Sequence, residues 1–181
     1  MSDPQVRISK YLAKHLRHSP GAIGLSLQPG GWVGVDELLA ATAQHGVPIA
    51  YEELVEVVES NDKQRFSFDV SGELIRANQG HSVEVDLQLD AQEPPIVLYH
   101  GTVQKYLKSI LETGLTRGQR HHVHLSADLE TARKVGARRG VPIILRIASG
   151  RMHQDGYQFY RSANGVWLTD SVPAKYLILA G

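Results

Sequence analysis

Phe66-Ser67-Phe68-Asp69-Val70-Ser71-Gly72-Glu73-Leu74-Ile75-Arg76 alternates apolar and polar side chains on either side of a Val70-Ser71-Gly72 break, the pattern of two strands joined by a tight turn. Working upstream, the chain reads as helical. Ile8, Leu12 and Leu16 recur at helical spacing between Val6 and His18, with Tyr11 and Ala13 beside them, and Pro20 stops the helix soon after. Gly30-Gly31 lead into a short extended stretch at Trp32-Val33. Asp36 is placed to cap a second helix through Leu38, Leu39 and Ala43, which ends at Gly46, and a third is expected from Tyr51 to Glu59. Three helices followed by a hairpin is the order of a winged-helix module.

Downstream of the hairpin, the polar and proline-bearing residues between Gln88 and Pro95 break the pattern and mark a domain boundary. The second half alternates strands with helices. Ile96-Val97-Leu98-Tyr99 reads as a buried strand and Val103 to Thr113 as a helix closed by Gly114. Further strands are expected at His122–Leu125, Ile143–Ile147, Gln158–Tyr160, Val166–Leu168 and Tyr176–Leu179, and one more helix from Leu129 to Arg139. No internal repeat or low-complexity tract is present.

Composition narrows the function classes. With 181 residues, 42% of them hydrophobic, the chain can bury one core or two small ones. It has no cysteine, which removes disulfides, thiolate nucleophiles and cysteine-ligated zinc. The sequence carries no long apolar run and opens on Met1-Ser2-Asp3-Pro4 without the layout of a secretion signal, so a soluble cytoplasmic protein without membrane partners is expected. Formal charge is zero, with seven basic against ten acidic residues up to Gly80 and twelve against nine after it. Neither half is a basic coat, so contact with nucleic acid is expected to be local.

Arginine and histidine nevertheless gather at the ends of predicted elements: Arg17-His18, Arg65, Gln79-Gly80-His81-Ser82, His100-Gly101-Thr102, His124 and Arg138-Arg139. Guanidinium grips phosphate oxygens bidentately and imidazole moves protons near neutrality, so the set suits an anion-handling site. No GxGxxG opens a βαβ unit and no GxxxxGK[ST] is present, which excludes a Rossmann site and a P-loop. In His100-Gly101-Thr102 the glycine lets a ligand approach the backbone, Thr102 can cap the following helix and His100 can bond a ribose hydroxyl; the same residues also suit an ordinary strand-to-helix turn. His122 and His124 share a strand face, but two imidazoles fall short of a zinc shell, and His124, followed by Leu125-Ser126, is better read as facing substrate. Arg17-His18 and Arg138-Arg139 can each also be solvated helix ends that offset the helix dipole.

Taken in order, LRHSP, NDKQRF, IRANQGHS, LYHGT, VHLS, VGARRG and NGVWLT closely resemble the RNA 2′-phosphotransferase family, also called tRNA 2′-phosphotransferase. The resemblance implies an α+β protein with an N-terminal winged-helix RNA-binding lobe (1–88) and a C-terminal ADP-ribosyltransferase-like, NAD-binding mixed α/β lobe (95–181). It implies that NAD is consumed to remove a 2′-phosphate from RNA, as at a ligated tRNA splice junction or in RNA repair. The phosphate first attacks C1″ of the nicotinamide ribose, giving ADP-ribosylated RNA. Ribose O2″ then attacks phosphorus, releasing the RNA 2′-hydroxyl and ADP-ribose 1″,2″-cyclic phosphate. The catalytic set carried over is Arg17, His18, Arg65 and Arg138. His100, Gly101, Thr102, His124, Leu125 and Ser126 are expected to bind NAD, and Gln79, His81, Ser82 and Arg139 to bind substrate. The partners implied are NAD and RNA bearing a 2′-phosphate, with no metal and a monomeric chain.

That chemistry fits the residues. A phosphomonoester with a second pKa near ~6 is already mostly dianionic at neutral pH and needs no general base for the first attack. Asn164-Gly165-Val166-Trp167-Leu168-Thr169 lacks the carboxylate that many ADP-ribosyltransferases place there, and a carboxylate would repel the phosphate. Arginines meet the charge that builds on phosphorus in the second step, and His18 can donate to the phosphate or protonate the leaving oxygen. Two other readings share parts of the pattern: ADP-ribosyl capping of terminal phosphates on nucleic acid, and a non-enzymatic winged-helix regulator that senses an NAD-like ligand.

Overall fold

The computed structural model describes residues 3–180. They form two compact units, one through Gln88 and the other from Leu89 onward, and each encloses its own apolar core.

In the first unit, Asp3 caps helix α1 (Pro4–Arg17) by accepting the Gln5 amide at 2.9 Å, with Pro4 at the first turn, where its missing N–H costs nothing. Leu12 and Leu16 are fully buried along one stripe of α1. A 3₁₀ turn at Pro20–Ile23 follows, then β1 (Trp32–Gly34), α2 (Val35–Gln44), α3 (Tyr51–Glu59), β2 (Phe66–Phe68) and β3 (Leu74–Ala77). The three strands make an antiparallel sheet in the order β1-β3-β2. Ile75, in the middle strand, is opposed by Val33 on one side and Phe68 on the other. Leu38 of α2 and Leu54 of α3 are fully buried in the same core as Leu12 and Ile75. Truncating such a leucine to alanine typically costs ~2–5 kcal/mol.

One expectation fails here. Asp36 does not cap α2: Gly34 holds the cap position with no side-chain bond, and Asp36 lies in the first turn. Its charge still meets the positive end of the helix dipole.

The second unit contains β4 (Leu98–Thr102), α4 (Gln104–Thr113), β5 (Leu115–Thr116), β6 (Val123–Leu125), α5 (Leu129–Gly136), β7 (Ile143–Ile147), α6 (Ser149–Gln154), β8 (Tyr160–Arg161), β9 (Trp167–Thr169), β10 (Ser171–Val172) and β11 (Leu177–Leu179). Its sheets run β11-β7-β4, β6-β9-β8 and β5-β10, all paired antiparallel. Tyr99 and Ser126 exchange two backbone hydrogen bonds of 2.8 Å and so tie β4 to the end of β6. Separate helices and antiparallel sheets make the chain α+β. Among the described residues no helix is long and apolar enough to cross a membrane.

Three further expectations are corrected. The strand expected from Ile96 begins at Leu98 and continues through Thr102, so His100-Gly101-Thr102 belongs to β4 instead of a turn. Thr102 is a buried strand residue, and the cap of α4 is Val103, without a side-chain bond. The helix expected to reach Arg139 ends at Gly136 and tightens into a 3₁₀ turn over Ala137–Arg139.

Gly101 is required by packing. A Cβ there would lie 1.9 Å from the Ala132 carbonyl oxygen and 2.8 Å from the Gly136 nitrogen of α5, both backbone atoms that cannot swing aside. Gly101→Ala should therefore push α5 off β4 and destabilise the second unit by about 3 kcal/mol, measured by chemical unfolding followed through Trp167 fluorescence. A wild-type midpoint would show that α5 has room to move.

Candidate functional site

Two groups of polar side chains stand out, one in each unit. In the first unit, α1 delivers Arg17 at its last position and His18 at its C-cap. The segment after β3 is stitched to that helix end. The Ser82 amide donates to the Arg17 carbonyl at 2.9 Å, and the Ser82 hydroxyl lies 2.9 Å from His18 Nδ1. This contact orients the ring through its Nδ1 edge.

Arg65, just before β2, is held by the residue that follows β3. Asn78 is 3% exposed. Its backbone N–H donates to the Arg65 carbonyl at 2.9 Å, its Nδ2 donates to the Gln64 carbonyl at 2.6 Å, and its Oδ1 accepts the Ser67 hydroxyl at 2.9 Å. Gln64 takes a left-handed conformation, φ 41°, which a non-glycine residue holds only when its surroundings enforce it. Ser9 of α1 accepts from Asn61 Nδ2 at 3.3 Å and lies 3.5 Å from Arg65 Nη1. Arg17, His18 and Arg65 all line one cleft of about 650 Å³, together with Lys10, Lys14 and Lys63.

Gln79 and His81 do not line that cleft. His81 is 1% exposed, and the position a Gly31 Cβ would take is 3.3 Å from its Nε2, so the ring packs inside the first unit.

In the second unit, His100 Nδ1–H donates to the His124 carbonyl at 3.1 Å. A carbonyl can only accept, so this bond fixes the tautomer and leaves Nε2 as an acceptor. Burial holds the His100 pKa below its ordinary 6.5 and the positive charge of Arg139 adds to that, against an opposing pull from the His124 carbonyl. The imidazole is therefore neutral at physiological pH. Gly101, expected to let a ligand approach the backbone, instead admits α5 on that side, and Ser126 is half-buried at the Tyr99 bridge. Leu125, expected to bind a ligand, is a core side chain 1% exposed.

His122 precedes β6 instead of lying in it. Its Nε2 is 3.8 Å from the Asp170 carboxylate and its ring centroid 5.4 Å from that of Tyr160, whereas His124 Nδ1 is 3.3 Å from Arg120 Nη1. The two imidazoles thus serve different neighbours. Among the described residues no three histidine, aspartate or glutamate side chains gather as a metal site.

Arg138 and Arg139 are exposed on the 3₁₀ turn after α5. Both act on Arg120, whose pKa is lowered first by burial and then by their two charges. Two guanidinium charges acting on a third at the surface of the second unit make a receptive place for a polyanion.

Residues 3–171 match the family described as RNA 2′-phosphotransferase, Tpt1 / KptA family. The chain belongs to this family. Among family members named "Probable RNA 2′-phosphotransferase", the one from Nostoc punctiforme is 62% identical over 98% of this chain and 98% of its own length. The one from Trichormus variabilis is 60% identical over 96% and 95%, and the one from Streptomyces griseus 54% over 97% of each.

Sequence reasoning missed Ser9, Lys10, Lys14, Lys63, Asn78 and Arg120. Only the spacing of Lys10, Lys14 and Arg17, one turn apart on a helix face, was available as a signal.

Two measurements test this geometry. Asn78→Ala strands the Gln64 carbonyl and the Ser67 hydroxyl, so it should destabilise the first unit by about 1–3 kcal/mol and lower turnover as Arg65 loosens; unchanged stability and turnover would show that Arg65 is held by other means. The His100 ring should titrate below 6.5 by nuclear magnetic resonance. Because the unfolded chain then binds a proton more readily than the folded one, the second unit keeps its full stability above pH 6.5 and loses it as pH falls further. His122, also shifted down chiefly by burial, adds to the same slope. A His100 midpoint at or above 6.5 would contradict the assignment.

Proposed function

We propose that this family member removes the 2′-phosphate from RNA by transferring it to NAD, releasing nicotinamide and ADP-ribose 1″,2″-cyclic phosphate. The RNA 2′-phosphotransferase part of this reading rests on family membership over nearly the whole chain. The observation that carries the chemistry is the convergence of Arg17, His18 and Arg65 on one cleft. In this reading the first unit is a winged-helix RNA-binding lobe and the second an ADP-ribosyltransferase-like lobe, working in the cytoplasm as a monomer.

The residues of the second unit suit a dinucleotide. His100 Nε2 offers an acceptor to a ribose hydroxyl, and the half-buried His124 and Ser126 add an imidazole and a hydroxyl; Gly101 and Thr102 serve through packing, Gly101 against α5 and Thr102 in the buried strand. Arg139, beside Arg120, suits a pyrophosphate. When bound, NAD supplies an electrophilic ribose carbon and a neighbouring hydroxyl.

The protein's own work is electrostatic. Expulsion of nicotinamide needs an anionic nucleophile held in line, which is a matter of positioning. Transesterification concentrates negative charge on phosphorus-bound oxygens and on the departing 2′-oxygen; Arg17 and Arg65 of the first unit suit that charge as donors, and Arg138 is the further arginine that the family resemblance adds to the set. His18, oriented through Ser82, presents Nε2 to the phosphate and can deliver a proton to the leaving oxygen. Ser82 thus serves substrate through His18, while Gln79 and the buried His81 shape the same segment.

The test is a 2′-phosphorylated oligonucleotide incubated with NAD, with every product identified by mass. Dephosphorylated RNA and cyclic phosphate are expected; ADP-ribose-capped RNA as the sole product would indicate capping instead. His18→Ala and Arg65→Ala should each slow the second step by roughly a hundredfold and let ADP-ribosylated RNA accumulate as a slower band on a denaturing gel. His100→Ala should raise KM for NAD. Equal slowing of both steps, with no such band, would overturn the division of labour.

A further inference from the structure

The cleft in the first unit is larger and more cationic than one phosphate needs. Five of its side chains are cations, Lys10, Lys14, Arg17, Lys63 and Arg65, against one carboxylate, Asp62. Arg17, Arg65 and His18 already suffice for a dianion. Lys14 and Lys10 stand three and seven residues before Arg17 on the same face of α1, a rise of about 4.5 and 10.5 Å along the helix axis. Both are exposed. A single phosphate group cannot span that distance, but consecutive phosphates of one strand recur about every 3.4 Å of a stacked helix, so the row covers a run of two to three nucleotides.

We propose that Lys10 and Lys14 form a subsite for the phosphodiesters that flank the reacting nucleotide, so that the protein selects a 2′-phosphate within an RNA strand over one on an isolated nucleotide. This rests on the RNA 2′-phosphotransferase reading and extends it from the reacting group to its surroundings. The ammonium groups suit the task. A flexible stem carrying a point charge follows a backbone whose conformation varies, whereas the bidentate arginines hold the phosphate that must be oriented. Asp62, next to Lys63 in the chain and also lining the cleft, repels phosphate, which favours a strand path along the lysines of α1.

The experiment compares kcat/KM for an oligonucleotide bearing one internal 2′-phosphate with that for a nucleoside 2′-monophosphate, in the full-length chain. The double variant Lys10→Ala/Lys14→Ala should lose about tenfold of the preference for the oligonucleotide at 0.1 M salt, and the salt dependence of oligonucleotide binding should become shallower by about 0.7 per phosphate contact removed. Lys10→Arg/Lys14→Arg should keep most of the preference, which separates charge from folding damage. An unchanged preference in the alanine variant, or an equal loss on both substrates, would overturn the subsite. If the wild-type chain dephosphorylated neither substrate, the reaction assignment would fail by itself. Fluorescence anisotropy of oligonucleotide binding would then decide the subsite: a wild-type salt slope in the alanine variant rejects it, and a shallower one supports it.

Discussion

The hydrogen bonds of the segment that follows β3 hold the first unit's polar site together. Asn78 and Ser82 lie four residues apart and reach two otherwise separate parts of the chain: Asn78 grips the carbonyls of Gln64 and Arg65, and Ser82 grips the carbonyl of Arg17 and the ring of His18. Neither residue carries charge. Together they fix where a strand begins and where a helix ends, so the side chains that leave those points share a cleft. A buried amide satisfied on all sides is costly to disturb because each partner it abandons keeps its desolvation penalty. Placement of the two arginines along the chain is thus secured through backbone carbonyls, those of Gln64 and Arg65 at one point and of Arg17 at the other.

The second unit solves a related problem by close packing. With no Cβ at Gly101, α5 approaches β4 until backbone meets backbone. The helix then turns into the 3₁₀ segment that carries Arg138 and Arg139. A cationic turn is set down from the strand that carries His100 without any side chain spanning the gap. The same element supplies the charge that helps keep His100 neutral.

How much of this was legible in the sequence follows from the range of the interactions. Helix α3 was readable from Tyr51 to Glu59 and β7 from Ile143 to Ile147, because an apolar period, or a cluster of β-branched and apolar residues such as Ile143-Ile144-Leu145, is a local property. The two-residue strands β5 and β10 and the six-residue α6 are too short to carry a period. His100-Gly101-Thr102 read as a turn because glycine ordinarily breaks strands, whereas here it remains in β4 to admit α5. Arg17, His18 and Arg65 could be singled out by residue type. Asn78 could not, since its role depends on a partner fourteen residues away, nor could the pairing of His18 with Ser82, sixty-four residues apart. His81 shows the converse: a polar residue in a motif can be buried for packing.

The fixed tautomer of His100 also acts as a chemical filter. Its proton is committed to the His124 carbonyl, so the ring shows the outside a single lone pair. A hydroxyl can point its hydrogen at that lone pair, but a bare phosphate oxygen would meet it as one electron-rich atom meeting another. Burial keeps the ring from acquiring the second proton that would reverse this preference near neutral pH. A hydroxyl therefore suits this nitrogen better than an anion does, although guanidiniums that attract anions stand in the same unit. Acceptor and donor are thus sorted within one unit, a lone pair at His100 and positive charge at Arg120, Arg138 and Arg139, so a hydroxyl and an anion meet different partners there.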